Sequence, residues 1–193
     1  MTRHDRSQTW HYVEKWAHQT PESEALVFEQ DRLAWKDFKD EMDKAAKAFL
    51  EAGVEKGDRV AQISMARTEF AVTYMAANKI GAIWLGINPK FTIDELRYII
   101  EDSRPAVLIA VSEFQGTDLS GTIQTLATEF SFLKKVLVIG NPVAGTENYR
   151  QFMDRARPDL EDALARRTGQ VRDQDEALLM YTSGSTGKPK GVV

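Results

Sequence analysis

Between Thr182 and Gly191 the chain gathers three glycines, four hydroxyl residues and two lysines in the run TSGSTGKPKG. Glycines let successive backbone N–H groups turn inward on an anion, and the hydroxyls of Thr182, Ser183, Ser185 and Thr186 add donors. Lys188 and Lys190 bring charge that would neutralise phosphate. A Gly/Ser/Thr run can also be a flexible tail. Against that, the apolar run ALLMYT (Ala177–Thr182) reads as a buried strand leading into the loop, and Lys188-Pro189-Lys190 stiffens its exit. The chemistry predicted is phosphate binding by Thr182, Ser183, Gly184, Ser185, Thr186, Gly187, Lys188, Pro189 and Lys190. It is not a Walker A loop: the position five before Gly187 is Thr182, and Pro189 rather than a hydroxyl residue follows Lys188.

Other chemistry-bearing residues point to structure. His4, His11 and His18 lack a third ligand at metal spacing and read as solvated or edge histidines. With every histidine this early, a Ser/His/Asp triad has no support. Asp37, Asp40, Glu41 and Asp43 crowd the first turns of a helix, as a solvated face favoured by the helix dipole would. Arg155, Arg157, Arg166 and Arg167 interleave with Asp154, Asp159, Glu161 and Asp162, which predicts a salt-bridged surface. Trp10, Trp16, Trp35 and Trp84 fall on apolar faces and are expected in the core. With no cysteine there is no disulfide, thiolate nucleophile or Cys-ligated zinc.

The elements that must position the loop follow from periodicity. A chain of 193 residues, 42% hydrophobic and 28% charged, suits one domain and a sizeable core. The net charge of −4 argues against a nucleic-acid partner held by phosphate neutralisation. The opening MTRHDRSQTW has no apolar signal-peptide core, and no apolar run is long enough for a transmembrane segment. A cytoplasmic protein is expected.

Trp10, Val13, Trp16 and Ala17 recur at helical spacing until the Pro21 region. Ala25–Glu29 and Arg32–Ala34 predict a hairpin whose turn lacks glycine. Phe38, Met42, Ala45, Phe49 and Ala52 form one helical stripe, with Gly53 as its C-terminal cap. Strands are expected at Val60–Ser64, Ala82–Ile87, Ala106–Val111, Lys134–Gly140 and Ala177–Thr182. Helices are expected at Thr68–Lys79, after a Thr92/Glu95 capping box and before Pro105, and near Thr122–Phe132. Residues 141–174 read as a surface excursion with one short helix. The fold class is α/β: alternating βαβ units with a mostly parallel sheet.

The run LLMYTSGSTGKPKGVV (Leu178–Val193) resembles the AMP-binding signature of the acyl-adenylate-forming enzymes. Two earlier stretches agree in order and spacing. LAWKDFKDEMDKAAKAF (Leu33–Phe49) is similar to the family's first core motif, with Trp35 for tyrosine and Asp37-Phe38 for Glu-Leu. KIGAIWLGINPKFTIDELRYIIEDSRPAVLI (Lys79–Ile109) is similar to the second, and its Asn88-Pro89 and Glu95-Leu96 are more like acyl-CoA synthetases than peptide-synthetase domains. The resemblance implies ATP, Mg2+ and CoA as cofactors and a small-molecule carboxylic acid as substrate, with a fatty acid the first expectation. A long-chain acid would make the protein membrane-peripheral. ATP and the acid would give an acyl-adenylate and pyrophosphate, and CoA would then displace AMP. It places the β- and γ-phosphates on Thr182–Lys190 and sets Thr182 near the metal. The family's later motifs do not occur, so residues 1–193 are expected to be an incomplete N-terminal AMP-binding domain without the C-terminal domain, inactive alone. The strand Ala177–Thr182 would then be an open edge. The alternatives are a non-catalytic nucleotide- or phosphate-binding protein and part of an amino-acid adenylation domain.

Overall fold

The computed structural model describes residues 8–155, 157–182 and 190–193. Helix α1 (Trp10–Gln19) buries Trp10 and Val13 but leaves Trp16 at the rim, 6.3 Å from the Trp35 ring. The expectation of a core role for Trp16 is thereby corrected: its turn of α1 points past α2, and a half-exposed aromatic stack takes the place of full burial. Strands β1 (Glu24–Phe28) and β2 (Asp31–Ala34) form the expected hairpin. It turns without glycine because Glu29 itself adopts φ +53°. Helix α2 (Trp35–Glu51) buries the expected stripe. At its end Gly53, at φ +78°, donates to the carbonyl of Leu50, and Val54 donates to that of Phe49. This paired closure satisfies carbonyls that the helix leaves open.

The remaining elements build a layered α/β unit. They run β3 (Arg59–Ile63), α3 (Thr68–Lys79), β4 (Ile83–Ile87), α4 (Ile93–Ser103), β5 (Val107–Val111), the short pair β6 (Glu113–Phe114) and β7 (Thr117–Asp118), and α5 (Ser120–Glu129). They continue through β8 (Lys135–Ile139), β9 (Glu147–Asn148), α6 (Tyr149–Met153), a 3-10 turn (Pro158–Leu160), α7 (Glu161–Thr168), β10 (Leu178–Thr182) and β11 (Lys190–Val192). The capping box holds: Thr92 N–H donates to Glu95 Oε2 at 2.8 Å and Glu95 N–H to Thr92 Oγ1 at 3.3 Å. Arg104, in the left-handed region, ends α4 before Pro105.

The main sheet has the order β11-β10-β4-β3-β5-β8-β9. Every neighbouring pair is parallel except β10 with β11. Side chains alternate across it. Val60, Trp84, Val107, Ile109 and Leu137 pack under α2 and α3, while Ala61, Leu85, Leu108, Ala110 and Val138 pack against α4 and α5. Burial on both faces is why these strands read as continuous apolar runs.

Two expectations are overturned. Residues 141–174 are no surface excursion: they add β9, α6 and α7 and bury Val143, Tyr149, Phe152, Met153 and Leu164. Their apolar residues are too sparse for a periodic signal, and burial comes from packing on α2, β8 and the core of the opposite face. Nor is β10 an open edge, because β4 flanks it on one side and β11 on the other.

Candidate active site

Strand β10 carries the predicted phosphate loop, and several contacts fix it. At its entrance Asn78 Nδ2 and Trp84 N–H donate to the carbonyl of Ala177 at 2.8 and 3.0 Å. The Asn78 amide oxygen in turn accepts from Thr9 Oγ1 at 2.9 Å, which ties α1, α3 and β10 together. Leu178 and Leu179 pair with Trp84 and Leu85 of β4. Near its end the Tyr181 hydroxyl donates to Asp102 of α4. Burial, followed by the Asp102 hydrogen bond and charge, pushes that phenol well above its usual range.

Thr182 and Lys190 stand opposite each other in the β10–β11 ladder. The two ends of the predicted loop, one hydroxyl and one ammonium, are thus brought together and exposed at the carboxyl end of β10. Ser183, Gly184, Ser185, Thr186, Gly187, Lys188 and Pro189 lie outside the described residues.

Beside β10 lies an apolar cavity of about 550 Å³, walled by Met65, Phe70, Tyr74, Trp84, Leu178 and Met180, with Ser64 and Asn88 also on its lining. The rings of Phe70 and Tyr74 meet Trp84 edge-on, at 4.3 and 5.6 Å between centroids. Gly86 leaves room for that indole, since a Cβ there would fall 2.7 Å from the Trp84 ring. Behind the wall a buried chain of hydrogen bonds runs one way. Trp84 Nε1 donates to Thr73 Oγ1 (3.2 Å), Thr73 to Gln62 Oε1, and Gln62 Nε2 to Ser64 Oγ (2.9 Å). Satisfied in sequence, these groups hold the wall rigid and end on a hydroxyl residue of the cavity lining. The arrangement suits an apolar molecule lying beside β10.

The other residues singled out fall elsewhere. No group of three His, Cys, Asp or Glu among the described residues could hold a metal ion, and His11 lies against the Trp10 ring at 3.8 Å. Of the four acids on α2, Asp43 and Glu41 are not solvated as expected. Asp43 accepts from Lys39 and Lys79, and Glu41 pairs with Lys44 and Arg150. The arginines do pair, but with acids outside the interleaved run: Arg155 with Glu51 and Glu147, and Arg167 with Glu55. Arg157 is buried. It pairs with Glu51 and donates to the carbonyls of Phe152 and Met153, closing the end of α6. Asn78, Gln62 and Thr73 carried no motif signal. Polar residues inside apolar segments were the one available hint, because such groups are kept only where partners satisfy them.

Comparison with known proteins extends this geometry. A family described as AMP-binding enzyme matches residues 13–193. The chain is 28% identical over 178 residues to the acyl-CoA ligase sidI of Aspergillus fumigatus, covering 88% of this chain and 30% of that protein. It is 30% identical over 200 residues to the acetyl-coenzyme A synthetase of Coprinopsis cinerea, covering 96% of this chain and 30% of the relative. Its fold matches the crystal structure of the anthranilate CoA ligase AuaEII with a TM-score of 0.81 at 23% identity, over 96% of this chain and 34% of that one. The chain thus spans about a third of the length of these relatives. Since the family match runs through both ends of the β10–β11 hairpin and nearly all the sheet that carries it, the chain belongs to the AMP-binding enzyme family.

Proposed function

We propose that the chain forms the opening portion of an ATP-dependent acyl-CoA synthetase, which converts a carboxylic acid and ATP to an acyl-adenylate and pyrophosphate and then a thioester with CoA. The observation that carries this reading is the pairing of Thr182 with Lys190 next to an apolar cavity, inside an AMP-binding match. In this reading Thr182–Lys190 holds the β- and γ-phosphates while the acid's oxygen attacks the α-phosphorus. Negative charge grows on the departing pyrophosphate, and the Lys190 ammonium with the loop's N–H groups would stabilise it as it develops. The donors present fit a triphosphate. They fit Mg2+ only as an ion carried on phosphate oxygens with the Thr182 hydroxyl beside it, as is usual for that ion. When bound, the metal supplies charge neutralisation at those oxygens.

The substrate we propose is a medium- or long-chain fatty acid, a reading the apolar cavity supports. Its place is the cytoplasm, where ATP and CoA are available. ATP–pyrophosphate exchange by the full gene product over a panel of acids tests the reading. Exchange driven by fatty acids, followed by thioester formation with CoA, is the expected outcome. A response confined to amino acids would transfer the protein to peptide synthesis.

A further inference from the structure

On the other side of the sheet order from β10, a second cavity of about 360 Å³ opens between the β1–β2 hairpin, α2, the start of α3 and the end of β8. The first turn of α3 and the ends of β8 and β9 meet there beyond the carboxyl ends of the parallel strands, where open α/β sheets bind ligands, and the volume lies in the range of small-molecule sites.

The lining divides into a charged interior and an apolar wall. Leu33, Val72 and Ile139 supply apolar surface, while Glu41, Glu69 and Tyr149 supply polar groups. Tyr149 is 4% exposed and lines the cavity, and its hydroxyl has no hydrogen-bond partner among the described residues. Both carboxylates lie inside, with side chains 15% and 20% exposed, whereas the guanidiniums of Arg32 and Arg150 sit at the mouth at 59% and 63%. Those two cations are already engaged, Arg32 by Glu24 and Arg150 by Glu41 and Asp154. Arg67 holds Glu69 through two hydrogen bonds and keeps it ionised. Burial first, then the charges of Glu69 and Glu41, raise the Tyr149 phenol above its usual range.

We propose that this cavity binds a small organic cation, a primary ammonium on a short apolar body, with the nitrogen donating to Glu69 and to the Tyr149 oxygen. The site is independent of the adenylation reading, because none of its lining belongs to β10, β11 or the loop between them.

Titration of the full 15N-labelled chain with butylammonium, 1-butanol and butanoate tests it. Butylammonium is expected to give saturable amide shifts at Thr68, Glu69, Gly140 and Tyr149, with the alcohol and the carboxylate giving none. Tyr149→Phe keeps the ring and removes the acceptor, and should weaken butylammonium binding by about tenfold, as for a hydrogen bond to a charged group. Equal shifts from butanoate or 1-butanol, non-saturating shifts, or unchanged affinity in Tyr149→Phe would overturn the proposal. Should that variant lose its dispersed spectrum, Glu69→Gln decides: the same weakening upholds the site, and retained affinity overturns it.

Discussion

At the scale of single residues, Lys79 joins three elements. Its Nζ donates to Glu14 of α1 and Asp43 of α2 at 2.6 and 2.7 Å, it lies 5.3 Å from the Trp10 ring, and its side chain is 7% exposed. Removing one partner of such a group leaves the other charge poorly solvated. Lys79→Met is therefore expected to lower unfolding free energy by about 3 kcal/mol in urea titrations, and Asp43→Asn in the same chain to restore part of it. Burial opposes ionisation of Asp43, but hydrogen bonds from Lys39 and Lys79 outweigh it and hold the carboxyl below its usual range. A carboxylate depressed on folding stabilises fully above its unfolded pKa and loses that contribution as pH falls through the folded value. Stability should hold at neutral pH and fall below about pH 4, with a shallower fall in Asp43→Asn. At the loop ends, Lys190→Ala or Thr182→Val in the full gene product should lower kcat for adenylation more than it raises KM for ATP. Charge grows at the leaving group only in the transition state. Unchanged kcat with a raised KM would mean that the loop ends bind ATP equally in both states.

At the scale of elements, two glycines separate backbone strain from crowding. A Cβ at Gly53 would meet only Lys134 at 3.8 Å, so Gly53→Ala carries the cost of a left-handed cap, about 1 kcal/mol. Gly140, at φ +106°, closes β8, and a Cβ there would fall 2.4 Å from Ser112 Oγ, which accepts from Asn141 N–H. Gly140→Ala adds a clash and a disturbed hydrogen bond, and should cost at least about 2 kcal/mol. Equal urea midpoints for the two variants would contradict this. The elements were legible where one local rule decides them: the Thr92/Glu95 box, the Gly53 cap and the doubly buried strands all match their reading. Residues 141–174 failed because α6 and α7 are short, and their few apolar side chains gain burial through elements distant in sequence, chiefly α2 and β8. In the candidate site, β10 was readable from its apolar run. Asn78, which secures the strand's entrance, was not, because a lone amide in a helix carries no pattern.

At the scale of the whole molecule, apolar surface gathers around β10. Met65, Met180, Val192 and Val193 are all about half exposed or more, and the cavity wall of Phe70, Tyr74 and Trp84 opens beside the first two. Contiguous apolar surface of this kind favours association. The purified 193-residue polypeptide should therefore form concentration-dependent oligomers in light scattering, reduced in the Met65→Lys, Met180→Lys double variant. It should show no acid-dependent release of pyrophosphate, because Thr182 and Lys190 are both exposed and charge there is screened at high dielectric. A monomer at all concentrations, or turnover by the polypeptide, would contradict these expectations.

The pairing of β10 with β4 also sets an order of events in time. Strand β3 meets β4 along its whole length, from Arg59–Ile83 to Ile63–Ile87, across a single helix. Strand β10 meets β4 only through Leu178 and Leu179, with four helices between them in sequence. Long-range pairings of this kind form late, after the local units have closed. The hairpin bearing Thr182 and Lys190 is thus the last part of the sheet to be laid down during folding and the first to open from it afterwards. Its backbone amides should exchange with solvent ahead of those in β3 and β5, and a chain ending before residue 178 would already hold five of the seven strands of the sheet.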